Sequence, residues 1–196
     1  MGKGNKKYCN GYLLAGGKSS RMGEDKGLML FKGKPVVQYV IDALVPVVNE
    51  VVIVSNNPAY EIFGLKVIAD DIKEVGPAGG IAAALQHSIA ENNFVIGCDM
   101  PFVNSAAIEQ LIENSEGWQI TLPIHNGQLE PLFGVYRTEC EDEWLRLVKE
   151  GMVKLHELVK HFSLQQLNVD HDVVFTEKIF MNINTRQEFE SALKQG

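Results

Sequence analysis

The chain has 196 residues, 45% of them hydrophobic, with a formal net charge of −7; this is enough for one full-sized core and short for two. An acidic balance spread along the chain speaks against a nucleic-acid-binding domain, whose phosphate partner demands a basic face. Three scattered cysteines, Cys9, Cys98 and Cys140, with no C-x-x-C pair, exclude a disulfide framework and disfavour a thiolate metal site. No apolar run reaches the ~20 residues that span a bilayer.

The basic start Met1–Lys7 lacks an apolar h-region and reads as a short solvated tail rather than a signal peptide. A reduced, cytoplasmic protein is the expectation. Tyr8–Leu14 is the first predicted strand. Pro35 opens a helix over Val36–Leu44, and Pro46 stops it. Strands follow at Glu50–Ser55, Lys66–Ala69 and Phe94–Gly97. Between the last two, Pro77 starts a helix over Gly79–Ala90, and Asn104 or Ser105 caps the next one through Asn114. Gln119–Pro123 and Pro131–Tyr136 read as strands joined by the polar turn His125-Asn126-Gly127. Glu139–Glu150 and Lys154–His161 are helical, interrupted by Gly151. Short apolar pieces lie at Leu164–Leu167 and Val173–Phe175, and Arg186–Lys194 is a terminal helix. Trp118 and Trp144 sit in apolar patterns that place them in the core. The five histidines lack the spacing of metal ligands.

Strands that are apolar almost without alternation belong to a sheet covered on both faces. The expected fold is α/β: a Rossmann-like, three-layer α/β/α domain over residues 1–196, with a mostly parallel mixed sheet and an elaborated C-terminal half. In such sheets the ligand lies beyond the C-terminal ends of the strands. The loops after Leu14, Ser55, Ala69 and Gly97 converge there.

The first strand runs directly into Leu14-Ala15-Gly16-Gly17-Lys18-Ser19-Ser20-Arg21-Met22-Gly23-Glu24-Asp25-Lys26-Gly27. Glycines at a strand exit permit positive φ and let backbone N–H groups close on an anion. Lys18, Arg21 and Lys26 add charge where a triphosphate needs it. This positive patch on an acidic chain suits a small anionic ligand. It is not a P-loop: G-x-x-x-x-G-K-[ST] ending at Gly17-Lys18-Ser19 needs its first Gly at residue 12, which is Tyr12. Further on, Gly97-Cys98-Asp99-Met100-Pro101 closes a strand with a carboxylate at its tip. That placement suits Mg²⁺, which takes few carboxylates and fills its shell with phosphates and water. Read structurally, Asp99 instead caps the helix that begins near Asn104.

The spacing L-A-G-G-x-x-x-R-M-G-x-D-K resembles the signature loop of nucleotidyltransferases. Among these it is most similar to the molybdenum cofactor guanylyltransferases, and the likeness extends from about Tyr12 to Phe189. The resemblance implies transfer of GMP from GTP to molybdenum-loaded molybdopterin with release of pyrophosphate. It implies a nucleotide-binding N-terminal half and a molybdopterin-binding C-terminal half. Leu14, Ala15 and Gly16 then contact the nucleotide through their backbone, and Gly17 lets the phosphates approach. Arg21 and Lys26 neutralise the departing phosphates, and the C-D-x-P element makes Asp99 the Mg²⁺ ligand. Asp70 and the element Gly76-Pro77-Ala78-Gly79-Gly80, which the family usually reads as G-P-L-A-G, border the purine and ribose. Of the pair Asp70-Asp71, Asp70 aligns better. Asn56 matches a position near the nucleotide and serves equally as a turn residue in Asn56-Asn57-Pro58.

Two later elements, Gln128–Tyr136 and Asn182-Ile183-Asn184-Thr185, resemble the molybdopterin side, which names Glu130, Pro131, Asn182 and Asn184 as acceptor-binding. The family continues N-x-N-T with Pro where this chain has Arg186, and Asn184-Thr185 also reads as a helix N-cap. The implied partners are GTP, molybdopterin, proteins that insert molybdenum, and apo-molybdoenzymes or their chaperones, without nucleic acid or membrane. Two alternatives stay open: a nucleotidyltransferase using CTP or a sugar phosphate, against which Gly16-Gly17 speaks because cytidylyltransferases tend to read L-A-A-G, and a nucleotide-binding cofactor-delivery protein without turnover.

Overall fold

The computed structural model describes residues 9–16, 25–72 and 75–182. In chain order these form β1 (Cys9–Leu14), a short hairpin of β2 (Leu30–Phe31) and β3 (Lys34–Pro35), α1 (Val36–Leu44), β4 (Val51–Val54), β5 (Lys66–Ile68), α2 (Pro77–His87), β6 (Asn92–Gly97) and α3 (Ser105–Glu113). There follow β7 (Ile120–His125), β8 (Gln128–Leu129), β9 (Phe133–Arg137), α4 (Glu141–Lys149), α5 (Leu155–Leu158) and β10 (Leu164–Asn168). The main sheet has the order β10-β7-β9-β6-β1-β4-β5, with β8 paired to β7. β1 pairs in parallel with β4 and β6, and β4 with β5. β9 runs antiparallel between β6 and β7, so β7 and its parallel neighbour β10 point the same way as β6.

Alternation along the strands divides the core into two layers. Leu13, Ile53, Phe94, Ile96 and Phe133 pack with α1 and α3, while Tyr12, Val52, Val54, Val95 and Leu122 pack with α2 and α4. With both faces covered, stretches such as Tyr12–Leu14, Val51–Val54 and Phe94–Ile96 are apolar at consecutive positions, which is why the sequence shows runs rather than alternation. The mostly parallel three-layer α/β/α architecture is the one the sequence predicts. All three cysteines are buried and free, as small hydrophobes.

Several local readings are corrected. The hairpin β2–β3 was not anticipated. α2 stops at His87 because Ser88 turns extended and its hydroxyl accepts the Ala90 N–H at 3.1 Å, a side-chain bond that competes with the helix. Asn126 and Gly127 both have positive φ, 49° and 73°, the two-residue turn that matches strand twist. They join β7 to the short β8, pairing His125 with Gln128, and the chain returns to the deeper part of β7 only as β9. The short apolar piece Val173–Phe175 lies in a turn, where the Asp172 carboxylate accepts the Val174 N–H at 2.9 Å. Asn104, not Ser105, caps α3, accepting from Ala107 N–H at 2.8 Å. Trp118 is 39% exposed rather than core. The terminal helix Arg186–Lys194 lies outside the described residues.

Trp144 is fully buried, and its indole Nε1–H donates to the Ala78 carbonyl at 3.0 Å. This bond pins α4 to the first turn of α2. Trp144→Phe removes the donor and leaves a void, so the unfolding free energy should fall by about 2 kcal/mol. A denaturation midpoint equal to the parent's would contradict that role for the indole.

Candidate active site

The tips of β1, β4, β5 and β6 lie side by side and are tied through their backbones. Ala15 N–H donates to Val54 O at 2.9 Å, Ser55 N–H to Ile68 O at 2.8 Å, and Cys98 N–H to Leu14 O at 3.1 Å. Leu14 therefore ends flush with the turn that carries Asp99. Ala15 is buried, while Gly16 is exposed, with no atom of the described residues beyond its chain neighbours within 4 Å of where a Cβ would stand. An open glycine above a buried floor presents backbone to an anion without a side chain in the way. Gly17 and Arg21 lie outside the described residues.

Asp99 is half-buried, and its Oδ1 lies 2.9 Å from the position a Gly97 Cβ would occupy. The carboxylate is thus folded back over the end of β6. A hard oxygen donor in that place fits a Mg²⁺ site of one carboxylate completed by phosphate and water. The adjacent Cys98 thiol is pushed up to about 12, chiefly by burial and then by the charges of Asp99 and Asp25. It stays a thiol at neutral pH and is unsuited to nucleophilic work.

Lys26 begins a short 3-10 turn, Lys26–Leu28, whose N-cap is Asp25, with Oδ1 accepting the Gly27 N–H at 3.1 Å. Gly27 is buried, and a Cβ there would stand 3.2 Å from Cys98 Sγ and would overlap the Tyr60 hydroxyl.

On the β4–β5 side, Asn56 and Asp70 pair reciprocally. The Asn56 amide donates to Asp70 O at 2.8 Å, and Asn56 Oδ1 accepts the Asp70 N–H at 3.0 Å. This bond fixes the Asp70 backbone and commits the Asn56 side chain to it. The half-buried Asp70 carboxyl accepts the Ile72 N–H at 3.1 Å. Burial raises its pKa, the Ile72 N–H opposes the rise, and the Asp71 charge adds to it. Asp71 is exposed. The Gly76–Gly80 element forms the start of α2. Gly76 has φ +59° and ψ −143°, a conformation L side chains avoid. A Cβ on Gly79 would stand 2.6 Å and 2.9 Å from the two Asp70 carboxylate oxygens and 2.8 Å from Val75 Cγ2. A Cβ on Gly80 would meet Leu14 at 3.2 Å. The departure from G-P-L-A-G at Gly79 thus has a physical counterpart, because here the Asp70 carboxylate leans onto the helix start.

A second group gathers at the C-terminal ends of β7 and β10, on the same edge of the sheet. A cavity of about 390 Å³ is lined by His125, Gln128, Glu130, Phe180 and Met181, among others. Burial raises the pKa of the half-buried Glu130 carboxyl. Pro131 is buried, and its carbonyl accepts the Tyr136 hydroxyl at 2.6 Å. The His125 ring lies 4.9 Å from that of Phe180, with Nδ1 3.4 Å from Asp170 Oδ1. Asn182 Oδ1 is buried with no hydrogen-bond partner among the described residues. Asn184 lies outside them.

The structure thus brings Leu14, Ala15, Gly16 and Asp99 together, sets Asn56, Asp70, Gly76 and Gly80 along one flank, and places Glu130 on the far side of the same edge. Residue-by-residue reading missed Asp25, Asn57 and Tyr60, which meet at the turn of Lys26, and His125, which lines the cavity. Asp25 lay inside the signature without a role. The polar turn at Asn126-Gly127 was the available pointer to His125.

A model of the MobA-like NTP transferase domain matches residues 11–168. A probable molybdenum cofactor guanylyltransferase of Clostridium perfringens is 34% identical over 192 residues, covering 93% of this chain and 95% of its own. One of the same name from Natranaerobius thermophilus is 32% identical, covering 93% of each chain. Among solved structures, molybdopterin-guanine dinucleotide biosynthesis protein A from Archaeoglobus fulgidus superposes with a TM-score of 0.81 at 27% identity, over 95% of this chain and 97% of that one.

The contact between Gly79 and Asp70 can be tested on stability alone. Gly79→Ala should lower the unfolding free energy by about 1–3 kcal/mol through overpacking. Adding Asp70→Ser, which shortens the opposing side chain, should restore part of the loss. Full stability in the single variant would show that Asp70 does not press on the start of α2.

Proposed function

The chain belongs to the MobA-like NTP transferase family, and we propose that it transfers GMP from GTP to the terminal phosphate of molybdenum-loaded molybdopterin, releasing pyrophosphate. It is a nucleotidyltransferase; the guanine base and the molybdopterin acceptor are the proposed part. The names of the relatives from Clostridium perfringens and Natranaerobius thermophilus support the nucleotide, and the name of the Archaeoglobus fulgidus neighbour supports the acceptor. The observation that carries the reading is the bond from Cys98 N–H to Leu14 O at 3.1 Å. It sets the glycine exit of β1 beside the carboxylate of Asp99, so that phosphates over one lie against the other.

In this reading the backbone of Leu14, Ala15, Gly16 and Gly17 receives the triphosphate. The guanosine lies along the flank made by Asp70, Gly76 and Gly80, with Asn56 holding the Asp70 backbone in place. Guanine presents N1–H and a 2-amino group, two donors that a carboxylate or backbone carbonyls accept. The acceptor occupies the side of Glu130, Pro131, Asn182 and Asn184. An oxygen of its terminal phosphate attacks the α-phosphorus in line; the new P–O bond forms as the bond to the β-phosphate oxygen breaks. Lys26 and Arg21 offset the charge gathering on the pyrophosphate. Asp99 is the residue that holds Mg²⁺. When bound, the ion neutralises phosphate charge and orients the phosphates. Such a displacement rests on positioning and electrostatics and needs no protein nucleophile. We place the reaction in the cytoplasm, between proteins that insert molybdenum and the apo-molybdoenzymes or chaperones that take the product. Among the described residues no helix is long and apolar enough to cross a membrane.

Calorimetry with GTP, CTP, ATP and UTP in the presence of Mg²⁺ checks the assignment. GTP should bind most tightly. Asp99→Ala should lose the Mg²⁺-dependent part of that affinity, about tenfold or more, because the ion loses its charged protein ligand. Preference for CTP would reject the guanylyl assignment. A Mg²⁺ response unchanged by Asp99→Ala would reject the metal site.

A further inference from the structure

We propose that Tyr60 and Asp25 form a clamp that fixes the backbone of Lys26 against the turn carrying Asp99, which makes Tyr60 a positioning residue for phosphate binding. The inference rests on the nucleotide reading of Lys26 given above.

Tyr60 lies on the 3-10 segment Pro58–Phe63 that follows β4, and none of it is exposed. Its hydroxyl donates to Asp25 Oδ1 at 2.5 Å, across 35 residues of sequence. The same oxygen accepts the Gly27 N–H at 3.1 Å, and Oδ2 accepts the Asn57 amide at 3.0 Å. Asn57 is itself held, since its Oδ1 accepts the Ala59 N–H at 3.0 Å and its own N–H donates to Ser55 Oγ at 3.1 Å. One carboxylate thus gathers donors from its own loop and from the chain leaving β4. Charge-assisted bonds of this kind are stronger than neutral ones.

Lys26 sits between two immobilised neighbours. Asp25 is held through its side chain. Gly27 is held through its N–H and by packing between the Tyr60 hydroxyl and Cys98 Sγ. Cys98 is the residue before Asp99, so the clamp sets the origin of the lysine side chain relative to the carboxylate. A lysine whose backbone is already fixed has less freedom to lose when it meets a phosphate, and preorganisation of this sort adds affinity without a new contact. Burial raises the Tyr60 phenol pKa further, so the hydroxyl keeps its proton and remains a donor. Glycine at 27 follows from the same geometry, because any side chain there would occupy the position of that hydroxyl.

The test is a double-mutant cycle between residues in different elements, read as the Kd for GTP with Mg²⁺. Tyr60→Phe should weaken binding about tenfold in the parent protein. In the Lys26→Ala protein the same change should cost less than twofold, because the group it positions is gone. Equal losses in the two backgrounds would make Tyr60 a purely structural residue and overturn the proposal, and so would an unchanged Kd in Tyr60→Phe, whatever its melting temperature. If Tyr60→Phe does not fold, Asp25→Asn takes its place in the same cycle with the same expectations. A parent protein that binds no nucleotide would overturn the nucleotide reading, and the clamp with it. A parent that binds GTP alongside an insensitive Tyr60→Phe would overturn the clamp alone.

Discussion

The two-sided pairing of β1, with β4 on one flank and β6 on the other, is the constraint on which the rest of the site depends. A central parallel strand must stop somewhere, and beyond Leu14 its backbone has ladder partners only as far as the neighbouring strands reach. Val54 O takes the Ala15 N–H and Leu14 O takes the Cys98 N–H. Past Ala15 the chain leaves the sheet as glycine, and past Cys98 it leaves as Asp99. The register of three strands thus places the exposed Gly16 beside the turn that carries Asp99. The same topology explains why the second cluster shares this edge. β9 is antiparallel, so β7 and β10 run with β6, and their ends carry His125 and Asn168 outward on the same side.

Charge is arranged with the same economy. The chain is acidic overall, with a formal charge of −7, yet its first loop carries Lys18, Arg21 and Lys26. Acids at the site each have a distinct partner or position. Asp25 gathers N–H and O–H donors, Asp70 leans on the start of α2, and Asp99 turns over Gly97. The charges of Asp99 and Asp25 both act on the Cys98 thiol.

Much of this was legible in the sequence because its causes are local. Continuous apolar strands reported a doubly covered sheet, and Pro35 and Pro77 marked helix starts. What escaped reading depends on contacts between distant segments. Nothing near Tyr60 in the chain says that its hydroxyl reaches Asp25, and nothing near Asp70 says that Gly79 must lack a Cβ to admit it. Asn56 looked like either a turn residue or a nucleotide contact; its amide is committed to the Asp70 backbone, a choice only tertiary structure makes. The end of α2 and the division of the β7 hairpin were lost to side-chain bonding by Ser88 and to the positive φ of Asn126, effects smaller than the hydrophobic pattern that located the elements.

The central claim is that nucleotide phosphates lie over the exit of β1 with their metal on Asp99. A crystal of the protein with a non-hydrolysable GTP analogue and Mn²⁺ in place of Mg²⁺ tests it most directly, because the anomalous signal of the ion fixes its position independently of the fold. The account predicts one strong peak within bonding distance of an Asp99 oxygen and of the triphosphate, with the phosphates above Ala15 and Gly16. A manganese peak away from Asp99, or a nucleotide bound elsewhere than the C-terminal edge of the sheet, would contradict it.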